Sequence, residues 1–234
     1  MHAMDIKCIN VVVGLGTAAS TFPCPFCPLA KVQFKDLAKL LPASELRTIG
    51  SVIEWASKYK AMADPHFDRT GKKLSSKEFY SCEREPLLDL PDSAIILDAI
   101  VPPELHLYIG IFTHLFDYLD KLLKKLPGCD ITAFTWSDVI NIHQSGRQGG
   151  KFDGNQVKKM MGSLEKLDNI LFQEKVVDEC LSVTTALKSF KVVTEKCFGM
   201  ELVEGYGAAI HQFSIAFRQL EKDPPLKVHN WRAM

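Results

Sequence analysis

The run Cys24-Pro25-Phe26-Cys27 sets two thiols two residues apart with a proline after each, Pro25 and Pro28, and it constrains the fold more than any other feature. Thiols at that spacing reach one metal ion from a single tight turn and supply half of a tetrahedral zinc site. The other half must come from elsewhere, so a metal here would tie distant segments together. Two other readings use the same residues: buried thiols with no metal, or a redox pair. A redox pair would place its first cysteine at a helix N-terminus within a βαβ unit, and no such pattern surrounds these residues. Zinc is therefore preferred. On local evidence its remaining ligands stay open between His66 with Cys82 and the distant His229.

The other cysteines are scattered and the total of seven is odd, which suits a reducing compartment better than a disulfide framework. Basic and acidic residues cancel at 28 each. That balance argues against autonomous DNA binding, because neutralising phosphates supplies much of a DNA-binding module's affinity. No signal-peptide pattern opens the sequence. The early apolar run Val11-Val12-Val13-Gly14-Leu15 is far too short to span a bilayer. The expectation is a chain without membrane partners, in nucleus or cytoplasm.

Apolar spacing predicts a mostly helical chain. The stretch Ile6 to Val13 fits a strand by its triple valine and a helix by the spacing of Ile6, Ile9, Val12 and Val13. A short helix is predicted over 34–41. Another opens at Ser44 and Arg47, with Leu46, Ile49, Val52, Ile53, Ala56 and Tyr59 on one face. Residues 64–92 read as a long polar loop with one helical turn near 77–82. Pro102-Pro103 opens the strongest helix, where Leu105, Tyr108, Ile109, Phe112, Leu115, Phe116 and Leu119 recur at threes and fours. Further helices are predicted over 136–143, 155–167, 169–196 and 202–220.

Individually, the polar candidates have bland readings. Asp5 alone would be a solvated residue or a helix cap, and His106 a partly buried helix residue. The run Gly150-Lys151-Phe152-Asp153-Gly154-Asn155 could let backbone amides approach a phosphate; more simply it starts a helix with Asn155 as cap. Lys121, Lys124, Lys125, Lys158 and Lys159 read as solvated helix faces.

Taken in order, the motifs resemble one family. Asp5-Ile6-Lys7, followed by Gly14-Leu15-Gly16-Thr17-Ala18-Ala19-Ser20-Thr21-Phe22-Pro23-Cys24-Pro25-Phe26-Cys27, resembles the catalytic subunit of the V(D)J recombinase and its Transib-type transposase relatives. Arg47-Thr48-Ile49 with Trp55, Pro102-Pro103-Glu104-Leu105-His106 with Gly110 and His114, Phe152-Asp153-Gly154-Asn155, and Lys227-Val228-His229 continue the resemblance in register.

The resemblance implies an RNase H-like core whose three carboxylates hold two divalent metals for phosphoryl transfer, interrupted by a helical, zinc-bearing insertion. By position it implies that Asp5 is the second carboxylate and that Cys24, Cys27 and His229 are three of four zinc ligands. His106 would lie near the scissile DNA, with Gly154 and Asn155 in a turn close to it. Counterparts of the first carboxylate, the final glutamate and the fourth zinc ligand are missing from the sequence; Glu201 and Glu204 precede His229 and stand in the wrong order.

The expected fold is thus predominantly α, the zinc-binding insertion of an RNase H-like transposase with most of the sheet absent. Residues 1–30 would carry the second-carboxylate segment and the cysteine turn, 31–101 helices and a polar loop, and 102–234 the helical insertion, ending at a truncated zinc-ligand helix. The implied function is that of a fragment or domesticated remnant of a mobile-element recombinase, without DNA cleavage of its own. Zinc would be structural in an incomplete site, and Mg²⁺ or Mn²⁺ would belong to a fuller-length form. DNA is the implied partner of full-length relatives rather than of this chain alone, and a homodimer is a further implication. A non-catalytic, zinc-stabilised helical scaffold is the alternative. Exposed apolar surface is expected around Ile6 to Val13.

Overall fold

Ile9 and Val13 are fully buried while Val11 between them is 49% exposed, so helical spacing prevails at the ambiguous start. In the computed structural model, which describes residues 6–17, 19–35, 46–62, 75–100, 104–142, 152–198 and 203–220, this segment is α1 (Ile6–Val13). The exposed apolar surface expected around Ile6 to Val13 comes down, among the described side chains, to Val11: Ile9 and Val13 belong to a local core and Val12 packs against it. The described residues divide into two compact units, one within Met1–Pro103 and one within Glu104–Lys222.

In the first unit Gly14 ends α1 at φ +84°, a left-handed conformation that costs glycine little. Leu15 then pairs with Cys82 in an isolated bridge. A 3₁₀ turn covers Lys31–Lys35 where a helix over 34–41 was expected; residues 36–45 lie outside the described set. The next helix, α2 (Ile49–Met62), begins later than Ser44 or Arg47. Thr48 and Ser51 set its start by accepting each other's amide protons at 3.1 Å through their hydroxyls. Val52, Ala56 and Tyr59 face the core. The predicted turn in the polar segment is a 3₁₀ turn, Lys77–Phe79, and a short helix α3 (Ile96–Ala99) follows.

The second unit is built on α4 (Glu104–Leu123), whose Leu107, Ile111, Phe112, Leu115, Phe116, Leu119 and Leu123 are buried at helical spacing. A capping box between Thr132 and Thr135 starts α5 at Ala133–Val139, three residues ahead of the predicted Trp136.

The two long helices expected over 155–196 are three: α6 (Gly154–Met161), α7 (Leu164–Gln173) and α8 (Val177–Cys197). Ser163 bonds back through its hydroxyl to Met160 O at 2.9 Å, a local alternative to the helical ladder. Lys175 takes the left-handed φ of 57° that ends α7. Asp153, not Asn155, caps α6: its carboxylate accepts from the Gln156 amide, and the Gln156 side chain accepts from the Asp153 amide, both at 2.9 Å. The last helix among the described residues, α9 (Tyr206–Arg218), starts after Gly205 at φ +80° rather than at 202.

The α8 helix packs against α9, α4 and α7, and α4 also packs against α5 and α6. Phe112, Phe116, Trp136 and Phe152 form the aromatic core of this unit, with the Phe116 and Phe152 rings 5.0 Å apart. The described chain is predominantly helical. Its extended pairing, among the described residues, is limited to the bridges Leu15–Cys82 and Thr48–Ile95. No helix among those residues is long and apolar enough to cross a membrane.

Candidate functional site

The described residues singled out from sequence fall in two places, one in each unit. In the first, the prolines and the Phe26 ring fold Cys24–Cys27 into the core. Cys24, Phe26 and Cys27 are fully buried. The Cys24 sulfur accepts the Phe26 amide at 3.4 Å and also the Cys27 amide, and the two thiols share a hydrogen bond. Burial pushes the Cys24 thiol well above its ordinary pKa, the Cys27 thiol adds to the rise, and the two amides oppose it. Amides aimed at a sulfur favour its thiolate form, the form that binds metal.

Arg47 closes this turn from behind. It is 2% exposed. Its backbone amide donates to Phe26 O at 2.8 Å, and its Nε donates to Cys24 O and Cys27 O at 3.1 and 3.2 Å. Nη1 donates to the Cys82 sulfur at 3.4 Å and Nη2 to Tyr80 O at 2.9 Å. Burial raises the Cys82 thiol against the pull of that guanidinium. None of the seven cysteines is in a disulfide.

As donors, two adjoining buried sulfurs fit half of a soft-metal site. Among the described residues no group of three or more His, Cys, Asp or Glu side chains is placed to hold a metal ion. His229, the ligand implied by the resemblance, lies outside the described residues, as do His66, Asp5 and Glu201. Glu204 is exposed on the turn before α9.

In the second unit, Phe152 plugs into the aromatic core and carries the Asp153-Gly154-Asn155 turn against the first turn of α4. A Cβ at Gly154 would lie 2.6 Å from Leu105 Cδ1. Beside this contact runs a groove of about 840 Å³, lined by Leu105 and Tyr108 of α4, Gly154, Asn155, Lys158 and Met161 of α6, and Lys191, Thr194, Glu195 and Phe198 at the end of α8. Tyr108 packs against both the Phe190 and Phe198 rings, each 5.9 Å away, and burial pushes its phenol up to about 12. His106 stands exposed on the first turn of α4, one residue from Leu105 and outside that lining. Lys158, expected on a solvated face, is at once exposed and part of the groove.

Gly154 and Asn155 thus share a groove with the Leu105 side of the Pro-Pro-Glu-Leu-His motif. Cys24 and Cys27 come together, and the third thiol near them is engaged by arginine. By sequence Arg47 reads as the opening of a helix and as part of the Arg47-Thr48-Ile49 segment of the resemblance, with no contact to the cysteines implied, and nothing local sets Lys191 apart from other helix-face lysines. The arginine has one local marker: a charge set between the apolar Leu46 and Ile49 with their helix-face partners.

No protein-family model and no curated protein matches this chain.

Proposed function

We propose that this chain is the helical, zinc-bearing portion of a protein of the V(D)J recombinase and Transib-type transposase kind, contacting DNA weakly and not cutting it unaided. The observation that carries the reading is the meeting of two motifs far apart in sequence. Pro-Pro-Glu-Leu-His and Phe-Asp-Gly-Asn are the segments that the resemblance sets near DNA, and Leu105 and Gly154 from them touch at one groove. Lys158 and Lys191 there would meet phosphate, and Asn155 can donate to a phosphate or a base edge. Lining acids, Asp153 and Glu195, offset the lysines, so affinity is weak and salt-sensitive.

In this reading Cys24, Cys27 and His229 hold zinc, whose contribution is a structural cross-link between chain segments. Asp5 is one of three carboxylates needed for two-metal cleavage, and it cannot hold two divalent cations by itself. Incubation of the pure chain with supercoiled plasmid and Mg²⁺ or Mn²⁺ is the test. No nicking above buffer is expected. Metal-dependent nicking that disappears in Asp5→Ala would contradict the reading.

A second reading, a non-catalytic helical scaffold, has its own support. Leu105, Tyr108, Met161 and Phe198 give the groove a largely apolar floor, and Phe172 at the end of α7 is 75% exposed. That reading needs no DNA binding, which separates the two.

A further inference from the structure

The groove of the second unit combines apolar and aromatic side chains, Leu105, Tyr108, Met161 and Phe198, with two lysines, Lys158 and Lys191. Duplex DNA uses only the lysines. Its bases are stacked inside a convex rod, so what it offers a concave apolar floor is phosphate and sugar, and polar groups gain nothing by covering such a floor. We infer that the groove takes single-stranded DNA, with an unstacked base against Tyr108 and Phe198 and the neighbouring phosphates on Lys158 and Lys191. This rests on the DNA reading above and names the form of DNA it takes.

Three observations carry it. The groove measures about 840 Å³, within the range of about 300–1,000 Å³ in which pockets enclose small molecules. A flat base fits that space; a duplex does not.

Phe198 supplies a ring that the protein itself leaves unstacked. It follows the end of α8 in an extended conformation, φ −100° and ψ 107°, and is half-buried. Its planes meet Tyr108 at 82° and Phe190 at 85°, so neither of these neighbours lies parallel to it. A base can stack on such a ring whatever its identity, because every base has a π-face.

Charge does not favour the duplex here. Asp153 and Glu195 line the groove along with Lys158 and Lys191, and the four formal charges cancel. The Asp153 carboxylate is held by the Gln156 amide, while Glu195 is exposed one turn beyond Lys191. A cationic track would follow any phosphate backbone and prefer the denser charge of a duplex. With that track absent, the floor decides.

Fluorescence anisotropy of the full chain at low ionic strength tests this with three labelled probes of about ten nucleotides: oligothymidylate, the same strand with abasic sites at its centre, and a duplex. Oligothymidylate is expected to bind about 10-fold more tightly than the duplex, and the abasic strand to lose that advantage. Phe198→Leu keeps apolar bulk against Tyr108 and Phe190 but removes the ring, and should bring oligothymidylate and duplex close to parity. If that variant does not fold, the abasic strand on the unaltered chain decides. Oligothymidylate that binds no better than the duplex, or no better than the abasic strand, overturns the inference while the DNA reading stands. A preference that survives Phe198→Leu also overturns it, because the base then sits elsewhere. No binding of any probe overturns the DNA reading and this inference with it.

Discussion

Leu105 lies over Gly154 so closely that a Cβ on the glycine would stand 2.6 Å from the leucine Cδ1. The contact joins the first turn of α4 to the first turn of α6, and the groove opens beside it. The clashing atom is the far end of a side chain that is 57% exposed, so it can swing away. Gly154→Ala should therefore change unfolding free energy by less than about 1 kcal/mol, because alanine's better helix propensity offsets the displacement. Urea denaturation checks this, and a loss well beyond that range would mean that Leu105 is locked in place.

Gly14 is the opposite case. Its φ is +84°, and a Cβ would lie 2.0 Å from the carbonyl oxygen of Arg84, a backbone atom that cannot rotate away. Gly14→Ala should destabilise the first unit by about 3 kcal/mol or more, combining left-handed strain with that collision. Hydrogen exchange of α1 and α2 amides reads the loss locally; unchanged protection would contradict it.

Capping of α6 separates two neighbouring residues. Asp153→Ala removes the acceptor for the Gln156 amide and should cost about 1 kcal/mol. Asn155→Ala should cost almost nothing in stability. Denaturation midpoints of the two variants compared side by side decide it, and an equal loss from both would contradict the assignment of the cap.

Much of this architecture is legible in the sequence. The α4 helix is readable because two prolines precede apolar residues at threes and fours, and of that stripe the structure buries Phe112, Leu115, Phe116 and Leu119 while Leu105 stays exposed. A cap near Asp153 is readable too, but its exact position is not: Asn155 fits a cap by residue type, and only the pairing of Asp153 with Gln156 at capping-box distance decides against it. The breaks around Ser163 and Lys175 are hidden. The local register stays apolar-periodic through both, and Lys175 enters the left-handed region without a glycine to mark it. The role of Arg47 is hidden for another reason. Its partners Tyr80 and Cys82 are distant in sequence, and no local pattern encodes a contact made by the tertiary fold.

Stability should fall in alkali. Burial, with Cys129 and Glu179 adding to it, raises the Cys180 thiol to about 11, and Tyr108 stands at about 12. Both groups hold their protons longer folded than unfolded. Their contribution is thus complete below the unfolded thiol value of about 8.5 and is lost as pH climbs through the folded values. Denaturation midpoints taken from neutral pH to about pH 10.5 should decline, and Cys180→Ala should flatten part of that decline. A midpoint that rises with pH, or a slope indifferent to Cys180, would contradict the assignment.

The groove's proposed work is tested most directly by fluorescence anisotropy of a short labelled DNA duplex with the full chain at low ionic strength. The account predicts weak binding that salt abolishes. In the double variant Lys158→Ala, Lys191→Ala the log–log salt slope should fall by about 2, about one for each phosphate that a lysine no longer neutralises. Lys121→Ala, Lys124→Ala, Lys125→Ala, away from the groove, should bind as the unaltered chain does. No binding at low salt, or equal losses from both sets of lysines, would contradict a DNA-facing groove.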